Sequence, residues 1–437
     1  MAGAGLAAAQ GVASEDTAGP PPQAAAEVLT LEEALEQARS QNLAVRSAEN
    51  ALAITANNAS IGNAGFLPQL TASGNRNTSI TTTEQQFIDQ EPRRTPNAET
   101  TSQAARATLA WRAFEGLGRF ATLQRLQAEQ ASQAERTRGV RADVLTEVTV
   151  AYLSIVREQQ QLAVLDEAVA ISEERLRLTE LRNRLGAASD LAVRQARVDL
   201  NADRGARLRQ ESTVTAARAQ LNRLLNDPDR GRYRVEPGIP IDTLLTLNEL
   251  VTEARTQNPQ LRAARQGRRA ATQERREIRA ERLPTVDLEV QYEYSDQSSE
   301  SGFVQFSESY GLSYGVAVSV DLFDGLNRRR RAQNAQIRER NAQLAIQELE
   351  TQLITALQEE FASFDNRVAL IALEEENLQA ARANVDVALR QFELGVITPL
   401  ELREVQETLV QAESRLVDTR FEARVLEAEL RRLAGQR

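Results

Sequence analysis

Residues 286–294 read Val286-Asp287-Leu288-Glu289-Val290-Gln291-Tyr292-Glu293-Tyr294, an unbroken alternation of apolar and polar side chains. Period two places one set on each face of a β-strand. After a polar loop, Ser295 to Ser309, the alternation resumes as Tyr310, Leu312, Tyr314, Val316, Val318 and Val320 against Gly311, Ser313, Gly315, Ala317, Ser319 and Asp321. The two runs predict a hairpin with strands at about 285–294 and 310–322. Each strand is close to the roughly 9–11 residues that cross a bilayer at a tilt, and the apolar face ends in Tyr, where an aromatic girdle would sit. On this reading Val286, Leu288, Val290, Tyr292, Tyr310, Leu312, Tyr314, Val316 and Val318 face lipid. A soluble sheet with one wet face gives the same alternation.

Beyond the hairpin the pattern changes. Between Gly325 and Gly395 there is neither Gly nor Pro, so the segment can run as one helix of about 100 Å. Leu357, Phe361, Phe364, Val368 and Ile371 are spaced 4-3-4-3, and Phe364, Ile371, Leu378, Val385 and Phe392 recur every seven residues. So narrow a stripe is a coiled-coil seam. It offers no broad apolar face for a sheet to cover, which turns the hairpin toward lipid.

The whole pattern occurs twice. Leu29-Thr30-Leu31 recurs as Leu245-Thr246-Leu247, Gln41-Asn42 as Gln257-Asn258, and Leu67-Pro68 as Leu283-Pro284, all at an offset of 216 residues. Phe114-Glu115-Gly116 recurs as Phe323-Asp324-Gly325, and Leu185-Gly186 as Leu394-Gly395, at an offset of 209. The first copy answers the second helix with Val148, Ile155, Leu162, Val169 and Leu176. Each copy therefore reads as helix, hairpin, then two helices. The expected organisation is a leader at 1–27, a first repeat at 28–228 with strands at about 69–76 and 104–113, a linker at 229–244, and a second repeat at 245–437. Ala7 to Gln10 resembles a signal cleavage site without the usual basic start; a disordered Ala/Pro-rich leader is the other reading.

Composition removes most chemistry. The chain has no His, no Cys and no Lys, which excludes imidazole bases, thiol nucleophiles, the usual zinc sites and Schiff bases, and no catalytic, metal or cofactor site is expected. A net charge of −10 argues against nucleic acid as a partner. Aromatic content of 4% is low for several compact cores and suits long helices. No window reaches the roughly 20 apolar residues of a membrane-spanning helix, so any span must be made of strands. Two hairpins supply four strands, too few to close a barrel, so several chains must share one.

The duplicated order, with Leu29-Thr30-Leu31-Glu32-Glu33-Ala34, Gln41-Asn42, the Leu-Pro before each first strand, Leu322-Phe323-Asp324-Gly325 and the two Leu-Gly pairs, resembles the TolC-like outer-membrane efflux proteins. The resemblance runs from about Val28 to Ala434. It implies a mostly α fold with β, as a homotrimer whose twelve strands form an outer-membrane barrel continued by a helical periplasmic barrel. It also implies two partners besides lipid: a periplasmic adaptor of the membrane-fusion type, and an inner-membrane pump of the resistance-nodulation-division or ATP-binding-cassette type. The expected role is a passive exit duct for efflux or type I secretion. The alternative is a coiled-coil scaffold with a short sheet and no pore.

Gly186 and Gly395 sit where each long helix must reverse, Gly taking the left-handed C-terminal position. Ser189 or Asp190 can cap the next helix, and Thr398-Pro399 suits a helix start. By resemblance these tips, Arg184, Leu185, Gly186, Ser189, Asp190 and Leu191 with Leu394, Gly395, Thr398, Pro399 and Leu400, meet the adaptor. Glu401 and Glu404 lie i, i+3 on one helix face; as ordinary charges they complement the helix dipole. The resemblance places them at the pore constriction, where crowding would raise some of their pKa values. The Asp, Arg and Tyr that close the entrance in the best-known relatives correspond to Ala192, Ile397 and Phe392, so that lock does not carry over. Arg328 to Arg331 begin a helix against its dipole, leaving two readings: a solvated face, or contact with phosphate headgroups at the inner rim.

Overall fold

The computed structural model describes residues 28–436 except 87, 89, 90, 232, 239, 302 and 303; the leader at 1–27 lies outside the described residues. The first repeat comprises β1 (Val28–Leu29), α1 (Leu31–Gln41), α2 (Leu43–Asn58), β2 (Gln69–Gln85), β3 (Arg93–Glu115), α3 (Gly118–Arg184) and α4 (Asp190–Leu224). The linker carries β4 (Arg234–Val235), and the second repeat comprises α5 (Leu247–Gln257), α6 (Pro259–Ala280), β5 (Thr285–Ser299), β6 (Phe306–Ser319), α7 (Asn327–Leu394) and α8 (Pro399–Ala434). Among the described residues no helix is long and apolar enough to cross a membrane.

The leading helix expected in each repeat is in fact two. Asn42 ends α1 and caps α2, its Oδ1 accepting from the amides of Ala44 (2.9 Å) and Val45 (3.3 Å) while its Nδ2 donates to the Leu224 carbonyl at 2.8 Å. Asn258 does the same between α5 and α6, accepting from Leu261 N at 3.0 Å and donating to the Leu433 carbonyl at 3.0 Å. The recurring Gln-Asn pair thus marks a helix break in which one side chain both caps the next helix and pins it to the end of α4 or α8.

α7 has 68 residues and α3 has 67, each about 100 Å long. Val148 and Ile155, fully buried, form one core with Leu29, Tyr152, Leu221 and Tyr233; Leu357 and Phe364 form its counterpart with Leu250, Leu353 and Leu430. Lower down α3 the buried stripe shifts from the expected Leu162, Val169 and Leu176 to Val164, Ala168, Ser172, Arg175 and Leu178. The reason is packing on two sides, since α3 contacts both α4 and α8. The linker is anchored: β4 pairs parallel with β1, and Tyr152 Oη donates to Leu29 O (3.0 Å) and accepts from Glu236 N (3.1 Å).

The four long strands form one antiparallel sheet in the order β2-β3-β5-β6. All four run longer than the alternation suggests. β2 reaches Gln85, β3 begins at Arg93, β5 extends to Ser299 and β6 begins at Phe306, so much of the polar Ser295–Ser309 loop is strand. Apart from Ile80 and Phe306 these extensions are largely polar and carry no period-two signal; ladder bonds and cross-strand pairs such as Thr78–Thr101 and Ser295–Ser309 hold them. β6 ends at Ser319, three residues before the expected limit, where the chain turns into the joint with α7. At both strand-to-helix joints a Gly-Leu pair is left-handed: Gly116 and Leu117 (φ 62° and 68°), Gly325 and Leu326 (φ 67° and 66°).

Candidate functional site

The sheet register assembles one apolar face chiefly from three strands, β3, β5 and β6. Val286 pairs with Val318, Leu288 with Val316, Val290 with Tyr314, Tyr292 with Leu312 and Tyr294 with Tyr310; β3 adds Trp111, Leu109, Ala107 and Ala105 opposite β5. Directly opposed residues share a face, so all nine strand residues predicted to face lipid lie together. They cover about 25–30 Å along β5 at about 3.4 Å per residue. Among the described residues nothing covers this face on β6, where Tyr314 is 83% exposed. The other face is polar, with Arg106 bonded to Glu293 (3.0 Å) and Arg112 to Asp287 (2.8 Å).

At the far end of the long helices the two tips meet. Gly186 and Gly395 are left-handed (φ 77° and 81°), and the closing bonds run from Ala187 N to Arg182 O (2.8 Å) and from Val396 N to Gln391 O (2.9 Å). Ser189 Oγ accepts from Ala192 N at 3.2 Å, so Ser189 is the cap. Asp190 instead accepts from Asn183 Nδ2 at 3.0 Å across the turn. Arg184 closes α3, Pro399 opens α8, and Leu185, Leu191, Leu394 and Leu400 are exposed around them.

Phe392, fully buried, packs with Leu178, Ala388, Leu402 and Ile397, and the Arg182 guanidinium lies 4.8 Å from its ring centroid. The position expected to lack a lock hydroxyl is thus filled by packing inside the chain. Arg182, absent from the expected tip residues, ties the first tip to the second.

Glu401 and Glu404 are both exposed. Glu401 turns back onto its own helix start: Oε2 accepts from Thr398 N (2.7 Å) and Thr398 Oγ1 (2.9 Å), while Glu401 N donates to Thr398 Oγ1 (3.3 Å). The Thr398 amide, then its hydroxyl, hold the Glu401 carboxyl below its ordinary pKa. In the single chain this hydrogen bonding, and not mutual repulsion, sets its titration.

Further from the tip, charged side chains bind the repeats together. Arg403 on α8 reaches Asp203 on α4, Ser172 on α3 donates to the same carboxylate, and Gln406 donates to Ser172 Oγ and Ala168 O, both at 2.8 Å. Arg175, 1% exposed, is held by Asp199 at 2.8 Å, and burial pushes its pKa down. None of these was picked out from the sequence. The available signal was asymmetry: at the 209-residue offset Ser172, Arg175, Asp199 and Asp203 correspond to Ala381, Asn384, Thr408 and Ala412.

Comparison with known proteins agrees with this architecture. The family model described as outer membrane efflux protein matches residues 34–227 and 250–436. Protein CyaE of Bordetella pertussis is 28% identical over 327 residues, covering 71% of this chain and 66% of that protein. A structure of CusC superposes with a TM-score of 0.75 at 15% identity, over 93% of this chain and 92% of that one. The outer membrane protein VceC of Vibrio cholerae gives 0.73 at 18% identity, over 93% and 96%.

Proposed function

Since the chain belongs to the outer membrane efflux protein family, we propose that it is one protomer of a trimeric outer-membrane exit duct, a passive conduit that receives substrate from an inner-membrane pump through a periplasmic adaptor. The observation that carries this reading is an unmet contact. Inside the chain the repeats join through β3 against β5, α3 against α6 and α3 against α8. Exchanging the repeats turns these into β6 against β2, α7 against α2 and α7 against α4. Among the described residues β2 and β6 are the two free edges of the sheet, and α7 packs mainly on α8, α6 and α5. The missing contacts are those a neighbouring copy would supply. Three copies give twelve strands, a closed barrel without edges, with the apolar face outward and the paired charges of Arg106, Glu293, Arg112 and Asp287 toward the lumen.

The long helices then continue the barrel as a periplasmic tunnel ending at the tips, with Leu185, Leu191, Leu394 and Leu400 offered to the adaptor and Glu404, backed by Glu401, at the narrowest ring. A coiled-coil scaffold leaves the uncovered apolar face unexplained. The test is native mass spectrometry of detergent-extracted protein, with conductance in planar bilayers. A trimer that conducts is expected; a stable, non-conducting monomer with its strands intact would refute the duct.

A further inference from the structure

We propose that Arg279, Arg282 and Arg329 form a binding site for the phosphate of an anionic phospholipid headgroup at the periplasmic rim of the barrel. The inference rests on the membrane insertion proposed above. The two repeats differ at the joint of sheet and helices. In the first repeat Phe66 and Phe120 close this joint edge to face, ring centroids 5.0 Å apart. At the same offsets the second repeat carries Arg282 and Arg329. The backbone around them is alike: Arg119 donates to the Arg112 carbonyl, and its counterpart Arg328 donates to the Asp321 carbonyl at 2.8 Å. An aromatic contact is thus replaced by two like charges on one framework, whose mutual repulsion an anion between them would relieve.

The space for that anion is present. Arg279, Arg282 and Arg329, with Leu283, Gln333 and Gln336, line an open hollow of about 660 Å3 without a carboxylate among its lining residues. Among the described residues no acidic group lies within ion-pair distance of these three arginines. Two neighbouring arginines are used internally: Arg328 is bonded to Glu281 O and pairs with Asp324, and Arg331 pairs with Glu281. Of the basic run expected to meet headgroups, Arg329 is therefore the member that lines the hollow. Its place in the first turn of α7 adds the partial positive charge of a helix start.

The surroundings select a lipid. Trp111, on the apolar face of the sheet, donates its indole N–H to Phe66 O at 2.9 Å, so the Phe66 joint, and by repeat equivalence Arg282, adjoins the end of the apolar belt. Leu322 and Phe323, 92% and 79% exposed, continue the chain from β6 toward the start of α7, which carries Arg329. Guanidinium groups matched to phosphate oxygens at the edge of an acyl-facing surface fit a phosphodiester headgroup.

The full chain is reconstituted in nanodiscs of phosphatidylcholine with and without phosphatidylglycerol, and its thermal unfolding is followed. Phosphatidylglycerol is expected to raise Tm by about a few degrees, and this rise should vanish in R282F/R329F, which restores the first repeat's pair. R282Q/R329Q supplies a second variant in case the Phe pair disturbs the joint. No dependence on phosphatidylglycerol, a rise retained in both variants, or full reproduction of the rise by inorganic phosphate would each overturn the site. Incorporation into the discs reports separately on the membrane reading. If the chain does not insert, retention of phosphatidylglycerol vesicles by wild type and not by the variants is expected, and equal retention overturns the site.

Discussion

Arg403 on α8 grips Asp203 on α4 through two hydrogen bonds, Nη1 to Oδ2 at 2.7 Å and Nη2 to Oδ1 at 3.0 Å. The equivalent pair, taken through the repeat offset, is Arg194 and Ala412, which can form no ion pair. The seam between repeats is thus clamped inside a protomer, whereas the corresponding seam between proposed protomers lacks this clamp. Asp203→Ala should cost about 1–3 kcal/mol, the range for a charge-assisted hydrogen bond with a stranded partner. It should also raise single-channel conductance by loosening α8 near the entrance. Thermal melts and bilayer recordings check both effects; unaltered conductance in a destabilised variant would reduce the clamp to a structural one.

The two tip glycines should respond unequally. A β-branched residue resists the left-handed conformation by about 1–2 kcal/mol at either site. At Gly186 a Cβ meets nothing within 4 Å, but at Gly395 it falls 2.5 Å from Arg182 Nη2. Gly395→Val must therefore also shift the Arg182 guanidinium that lies against Phe392. It should lower Tm and export more than Gly186→Val, and equal effects of the two on melts and on export assays would contradict the role given to Arg182.

If exchange of the repeats describes the closure, the Ala107–Tyr292 pair of β3 and β5 maps onto Val316 of one protomer opposite Arg76 of the next. Directly opposed strand residues lie within disulfide reach. The natural chain has no Cys, so V316C/R76C has no competing thiols. Oxidation should yield covalent trimers on denaturing gels, with neither single variant cross-linking. A chain that stays monomeric after oxidation would refute this register.

Legibility followed periodicity. Val286 to Tyr294 declared their strand because one face is apolar, while Ser295 to Ser299 stayed hidden because both faces are polar. The Gln-Asn repeat was visible, but the helix break it causes was not, since Asn42 ends α1 by reaching a carbonyl 182 residues away. Gly186, Gly395, Ser189 and Thr398 could be read because caps are local. Arg182, Asp203 and Arg403 could not, because their partners lie on other helices and charged residues fill every exposed face of this chain.

Acid should loosen the second tip through Glu401. Its pKa in the folded chain lies below the ordinary value of a glutamate, through the Thr398 amide and hydroxyl. Because the folded value is depressed, the stabilisation is fully present above the ordinary value and disappears as pH falls through the folded one. The difference in Tm between wild type and Glu401→Gln should therefore be clear at neutral pH and vanish once the carboxylate is protonated. A difference independent of pH would show that the capping box does not depend on the carboxylate charge.

The same geometry divides the acidic pair. The Glu401 carboxylate is committed to the helix start, whereas Glu404 is exposed and has no ion pair among the described residues. In a trimer, three copies of Glu404 would ring the entrance, where confined charges interact far more strongly than on an open surface screened by salt. Glu404→Gln should then lower cation preference and weaken block by multivalent cations while leaving Tm unchanged. Glu401→Gln should show the reverse weighting, a loss of tip stability with a smaller change in selectivity. Reversal potentials in asymmetric salt, recorded for each variant, separate the two roles. If Glu404→Gln keeps the wild-type reversal potential, the ring does not lie on the permeation path, and both carboxylates serve the helix alone.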